Sequence, residues 1–308
     1  MKIFLLCLFL CFAIHSDDSF NRQPLYRIAF HSSGDSAESQ ILMQHLRSQI
    51  TSTKRGNPVF SSFNFPKEGL VFHEKGEGDE NTKKWLTNIS DADKFVWLQT
   101  SKTETQIKFI DVLTGRLEYK NSLPESLTKT LLTDFYSYLD KRNVFLALSE
   151  TKSSPANPVK FTSLKSKYVA GESIHFQLES LEDNYVYVVL VPEKKTDEPI
   201  LIFPNPAQTA NYLKKGQKVM IPENGQALKA APPYGKDKIR VFASKEEWTD
   251  LQLRGKKGDS FYKLLPPALT GAKSSSFPGL EKLSKTIAQT NVFEWEYEIL
   301  PEGKTPSN

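Results

Sequence analysis

A chain of 308 residues with 40 Lys and Arg against 36 Asp and Glu carries a net charge of only +4. Its cations are scattered, with no basic stripe and no interleaved aromatics, which excludes the electrostatic footprint of a nucleic-acid binder. With 39% hydrophobic and 25% charged residues, the composition is that of a globular protein long enough for about two domains.

Residues 1–16 read as a secretory signal peptide. Lys2 precedes the apolar run 3–14, and Ser16 offers a small residue before Asp17. That run is too short to span a bilayer, and no other apolar run approaches spanning length. Both cysteines, Cys7 and Cys11, lie inside it. The mature chain is therefore expected to lack disulfides and thiol nucleophiles and to rely on packing. Lipidation of Cys11 is the alternative fate. Leu10 occupies the place where a lipoprotein signal wants a small residue, so no lipid anchor is expected.

Residues 22–145 alternate strand and helix signals. A strand is expected at 25–30, and a helix at 36–50, where Ile41, Leu42, His45, Leu46 and Ile50 fall at helical spacing. Further strands are expected at 59–65 and 95–99, with a short helix between them at 81–90. A hairpin follows at 106–121, turning at Leu113-Thr114-Gly115. Residues 126–140 form an amphipathic helix carrying Leu127, Leu131, Phe135, Tyr138 and Leu139. This order predicts an α/β domain on a mixed sheet.

Three motifs within it carry a resemblance. They are Ile28-Ala29-Phe30 with Ser33-Gly34-Asp35, Ala92-Asp93-Lys94-Phe95-Val96, and Asp111-Val112-Leu113-Thr114-Gly115. Together they resemble the envelope-protein fold of the TolB N-terminal domain and of CsgG, the curli-secretion protein. The resemblance implies a place in the cell envelope. The pore-forming insertions of CsgG are not evident, so it does not imply a secretion channel.

Residues 150–158, polar with two prolines, predict a linker. From 159 to 302 the pattern is strand-rich. Ile174, Phe176 and Leu178 alternate with polar residues, 185–191 is apolar on both faces, and 193–198 reads as a polar hairpin loop. The spacing of Ser244 and Glu247 predicts a short helix through Leu251, and a second helix is expected at 278–289. In the last strand Phe293, Trp295, Tyr297 and Ile299 alternate with Glu294, Glu296 and Glu298. The expected fold class is α+β, an α/β domain followed by a mainly-β sandwich with short inserted helices.

This second domain resembles a bacterial family known only as domain-of-unknown-function family 4384. The residues that carry the resemblance are Val169-Ala170-Gly171-Glu172, Asn184-Tyr185-Val186-Tyr187-Val188, Ile202-Phe203-Pro204-Asn205, Gly216, Ile221-Pro222 and Pro233-Tyr234-Gly235. The resemblance implies export and supplies no activity.

Candidate chemistry is sparse. Gly34-Asp35-Ser36 has the form of a hydrolase nucleophile block, yet no Asp-x-x-His follows to supply a base, so Asp35 and Ser36 are expected to cap a helix. His31, His45, His73 and His175 form no zinc spacing. Asp91-Ala92-Asp93 is expected to be a turn rather than a cation site. Glu294, Glu296 and Glu298 form an acidic row, either a wet strand face or a binding surface. No metal or cofactor is expected.

Phe203 and Asn205 each precede a proline, which holds this segment extended and stops the strand. Asn205 is expected to tie the loop to backbone near Pro233-Tyr234-Gly235. The alternative makes Phe203, Asn205 and Tyr234 a ligand-facing binding site. The function expected is an exported, non-enzymatic cell-envelope protein, periplasmic or outer-membrane-associated, that holds or regulates a partner protein. The alternative is an envelope hydrolase acting on peptidoglycan or an ester.

Overall fold

The computed structural model describes residues 24–33, 37–59, 70, 72, 77–89, 91–163, 165–191, 199–223, 228–249, 253–254, 261–264 and 278–303. The expected signal peptide, Cys7, Cys11, Asp35, Ser36, His73, the 60–65 part of the expected strand and the 193–198 loop lie outside them. The chain divides into two units, one built on Leu25–Leu146, the other on Ala147–Leu264 with Ser284–Asn308. Among the described residues no helix is long and apolar enough to cross a membrane.

The first unit comprises β1 (Arg27–Ser33), α1 (Ala37–Ser52), β2 (Asn57–Val59), α2 (Glu80–Leu86), β3 (Lys94–Thr100), β4 (Glu104–Asp111), β5 (Leu117–Pro124) and α3 (Thr128–Glu150) as far as Leu146, the helix's last turn belonging to the second unit. The sheet order is β2-β1-β3-β4-β5, parallel around β1 and antiparallel beyond β3, hence mixed. Strand alternation sends Ile28, Phe30, Val96, Leu98, Ile107 and Phe109 to one face, packed with Leu46, Ile50, Leu131 and Phe135 of the helices. Ala29, Phe95, Trp97 and Ile110 pack on the other face with Leu86 and Ile89.

The β4–β5 turn follows from its sequence. Asp111 Oδ1 accepts from the Thr114 amide and hydroxyl, each at 2.8 Å. Gly115 has φ 69°, and a Cβ there would meet the Gly78 backbone at 3.2 Å. The register shifts just before the turn, where Phe109 pairs Tyr119 but Ile110 pairs Leu117. Glu118 is therefore the extra residue of a β-bulge.

The second unit holds β6 (Val159–Ser163), β7 (Lys167–Val169), β8 (Ser173–Ile174), β9 (Phe176–Ser180), β10 (Asn184–Val191), β11 (Ile200–Phe203), β12 (Tyr212–Leu213) and β13 (Lys218–Ile221). It continues through β14 (Leu228–Lys229), β15 (Gly235–Ser244), β16 (Leu253–Arg254), β17 (Tyr262–Leu264), α4 (Pro278–Ala288), of which Ser284 onward lies in this unit, and β18 (Asn291–Leu300). The large sheet runs β16-β17-β11-β10-β15-β18-β7 and the small one β13-β9-β6. Phe176, Leu178 and Ile221 of the small sheet share one core with Val186, Val188, Ile202, Val241 and Tyr297 of the large one. The unit is a β-sandwich, and with the mixed-sheet unit the chain is α+β.

Two expectations need correction. The helix expected at 126–140 continues to Glu150. The helix expected from Ser244 is not formed over its described residues. Ser244 ends β15, and its hydroxyl bonds the amide and carbonyl of Glu246. Trp248 stacks on Tyr187 at 3.9 Å and 5°, and its amide donates to Tyr187 Oη at 2.6 Å, which holds the segment in a non-helical turn.

Residues 150–158 are mostly exposed, yet hydrogen bonds fasten them within the second unit. Arg240 donates to the Leu148 and Thr151 carbonyls, and the Ser154 amide donates to Val292 O at 2.8 Å.

Candidate functional site

The loop after β11 is closed on itself. Asn205 is buried, and its Oδ1 accepts from the amides of Ala207 (3.0 Å) and Gln208 (2.8 Å). Its Nδ2 donates to Ile202 O at 3.0 Å. Gln208 carries the tie outward, donating to Met220 O at 3.0 Å and accepting from the Glu223 amide at 3.2 Å. Phe203 lies in the sandwich core. Tyr234 is exposed. No hydrogen bond joins Asn205 to Pro233, Tyr234 or Gly235, so the expected partner of the tie is corrected to the loop itself and, through Gln208, to the end of β13. The structure thus gives Phe203 and Asn205 structural surroundings and does not bring Asn205 to Tyr234.

The histidines and the aspartate pair are dispersed. His45 is exposed on α1, and burial lowers the pKa of His31. Asp93 is engaged by Arg27, through its amide at 2.8 Å and its guanidinium at 2.9 Å. Among the described residues no group of three or more His, Cys, Asp or Glu is placed to hold a metal.

A buried ionic cluster lies where β3 begins and β4 ends. Lys94 Nζ donates to Asp111 Oδ2 at 2.7 Å and Glu118 Oε1 at 2.9 Å, and Arg142 reaches the same Glu118 oxygen at 3.4 Å. The bulge aims Glu118 into this cluster. Burial works against the Lys94 ammonium, but Glu118 and Asp111 more than offset it, leaving its pKa above the ordinary lysine value. Burial likewise works against the Asp111 carboxylate, and Lys94 with the Thr114 donors outweighs it, leaving its pKa below the ordinary value. The cluster sits at the N-terminal ends of the parallel strands β1 and β3, whereas ligand crevices of α/β sheets form at the C-terminal ends. Two cations meet two carboxylates, an arrangement suited to holding a fold.

The acidic row of β18 is matched by a basic one. Lys238 pairs with Glu294 at 2.9 Å, Lys236 with Glu296 at 2.8 Å, and Lys167 with Glu298 at 3.8 Å. Arg240 Nε lies 3.4 Å from Glu294. The solvent face of this part of the sheet is a paired-charge surface.

The backbone of β18 differs from its side chains in being only partly paired. On one side it pairs with β15 from Asn291 to Ile299, but on the other β7 covers only Glu298–Leu300. Val292 turns its polar groups away from β15, accepting from the Ser154 amide at 2.8 Å and donating to Ser154 Oγ at 3.1 Å. Glu298 N–H also turns outward, to Ser166 O at 2.9 Å. Strand alternation then requires the N–H and C=O of Glu294 and Glu296 to point outward as well. None of the described residues bonds them. Ser154 and Ser166 thus bound a gap in the sheet edge.

Aromatic side chains line the inward side of this gap. Phe161 of β6 lies 5.5 Å from Phe293 and 5.1 Å from Trp295, ring centre to ring centre, and Trp295 stacks on Tyr297 at 5.0 Å. Phe161, Phe293 and Trp295 are all only half-buried. An unpaired strand edge beside accessible aromatics is the arrangement by which an extended peptide adds to a sheet. Sequence reasoning took Phe293 and Trp295 as plain core and did not single out Phe161. The available signal was three aromatics at every second position of the chain's last strand.

Residues 167–247 match the model of a family described as "Domain of unknown function (DUF4384)". The matched stretch runs from β7 past the end of β15, and it supports the resemblance read in the second domain. A search of curated proteins finds no match.

Proposed function

We propose that this is an exported, non-catalytic protein of the bacterial cell envelope that holds or regulates a partner protein by receiving one of its extended segments on the open edge of β18. The observation that carries this reading is the pair of outward-facing peptide groups at Glu294 and Glu296, which none of the described residues bonds, set beside half-buried aromatics. The signal-peptide pattern of residues 1–16 and the resemblance of the first domain to TolB-type and CsgG-type envelope folds support the location, periplasmic or outer-membrane-associated. The alternative is an envelope hydrolase, acting on peptidoglycan or an ester, through a site that no sequence motif identifies.

The test is a proline placed on the edge. Glu296 N–H faces away from β15, so Glu296→Pro removes an outward donor without breaking the β15 ladder. Trp295→Pro breaks that ladder and serves as the unfolding control. Crosslinking in cells with the parent protein is expected to capture an envelope protein, and Glu296→Pro is expected to keep its fold and lose the capture. Unchanged capture by a folded Glu296→Pro protein overturns the reading.

A further inference from the structure

We infer that the strand received by the β18 edge is a short segment of a different protein in which basic and apolar residues alternate. This rests on the strand-receiving reading above and concerns the chemistry of its guest.

Residues paired across a sheet point their side chains to the same face. A guest residue opposite Glu294 or Glu296 therefore emerges on the solvent face beside that carboxylate. Guest residues opposite Phe293, Trp295 and Tyr297 emerge on the inward face, against the Phe161, Phe293 and Trp295 rings. The alternation of β18 is thus imposed on the guest, with apolar residues at every second position. The cations that already serve Glu294 and Glu296 approach from the β15 side. Lys236 and Lys238 stand on β15, which leaves the guest-facing side of Glu294 and Glu296 unserved. A carboxylate has more acceptor sites than one lysine fills. Lys or Arg in the guest completes the row, whereas Asp or Glu meets like charge at cross-strand distance.

The same rule disfavours a second copy of this chain. Two β18 edges paired antiparallel about Trp295 would set Glu294 of each copy against Glu296 of the other, two like-charge confrontations. The gap spans 293–297, so the guest contributes about five residues, roughly 17 Å of strand.

The experiment uses the full chain and three synthetic peptides with central Val-Lys-Val-Lys-Val, Val-Glu-Val-Glu-Val and a non-alternating Lys-Lys-Val-Val-Val. The lysine alternator is expected to bind up to about tenfold tighter than the glutamate one at low salt, a difference that shrinks as salt screens it. It is also expected to bind more tightly than its non-alternating isomer. Glu296→Lys, which leaves Glu294 to favour a guest cation while position 296 favours an anion, is expected to abolish the preference, and Glu296→Gln, which adds no charge, to narrow it should the lysine variant fold poorly. Equal binding of the alternating peptides, binding of none, an unchanged preference in both variants, or a dimer of the parent broken by Glu296→Pro each overturns the inference. The strand-receiving reading is judged separately, by cellular capture with Glu296→Pro, so the two can fail independently.

Discussion

Arg240 stands directly across from Glu294 in the β15–β18 ladder, but its terminal nitrogens donate to the carbonyls of Leu148 and Thr151 at the end of α3. A helix leaves its last carbonyls without intrahelical donors, and a cation there also meets the negative end of the helix dipole. The side chain is 2% exposed, and burial pulls its pKa down to about 10 despite the pull of Glu294 and Glu150 in the other direction. It stays charged at neutral pH.

Arg240→Met should leave both carbonyls without that donor, at about 1–3 kcal/mol for each acceptor left unsatisfied. Arg240→Lys should recover only part of this, because an ammonium cannot span two carbonyls as a planar guanidinium does. Denaturant unfolding measures both. Parent-like stability of Arg240→Met would show that α3 ends without help from the sheet.

The Lys94 cluster predicts a stability profile in pH. Asp111 has its folded pKa lowered, so its contribution is present above the unfolded value of about 3.9 and is lost as pH falls through the folded one. Lys94 has its folded pKa raised, so its contribution is complete below about 10.4 and is lost as pH rises through the folded value. The cluster should thus add a plateau of stability from about pH 5 to about pH 10. Lys94→Met strips Asp111 and Glu118 of their shared cation and should cost about 3–5 kcal/mol at neutral pH. Its deficit against the parent should narrow as pH falls below about 4 and the parent loses the Asp111 contribution. A deficit independent of pH would mean that Lys94 acts through packing alone.

Asn205→Ala should lower stability by about 1–3 kcal/mol, because the amides of Ala207 and Gln208 lose their acceptor and Ile202 O its donor. Asn205→Asp keeps the acceptors but not the donor, and should also destabilise. Thermal unfolding measures the loss, and partner capture measured beside it should follow stability. Capture lost at full stability would restore Asn205 as a binding residue.

The elements easiest to see in the sequence were those whose burial pattern is local. The strict alternation of β18 and the glycine turn after Asp111 belong to this class. The last ten residues of α3 did not, because Asp140 and Asn143 interrupt its apolar stripe. Both are buried, and Arg55, far away in the chain, bonds the Asp140 carboxylate at 2.6 and 2.9 Å and offers Asn143 a carbonyl at 2.9 Å. Ser244 and Glu247 had the spacing of a helix start, and the Trp248–Tyr187 stack overrode it. The open edge was hidden for a similar reason. Alternation shows which way the side chains of β18 point, but whether its backbone is paired depends on where Ser154 and Ser166 arrive.

Glu118 is an inserted residue as much as a charged one. Its neighbours Leu117 and Tyr119 pair with the consecutive residues Ile110 and Phe109, so a chain lacking Glu118 could close a regular ladder with both apolar neighbours still on their own faces. Nothing in the hydrophobic core would register the deletion. The electrostatic balance would, because Lys94 and Arg142 would be left to share the single carboxylate of Asp111. One extra step in the backbone thus sets the net charge of a buried site, and a one-residue deletion in this strand would act as a charge mutation.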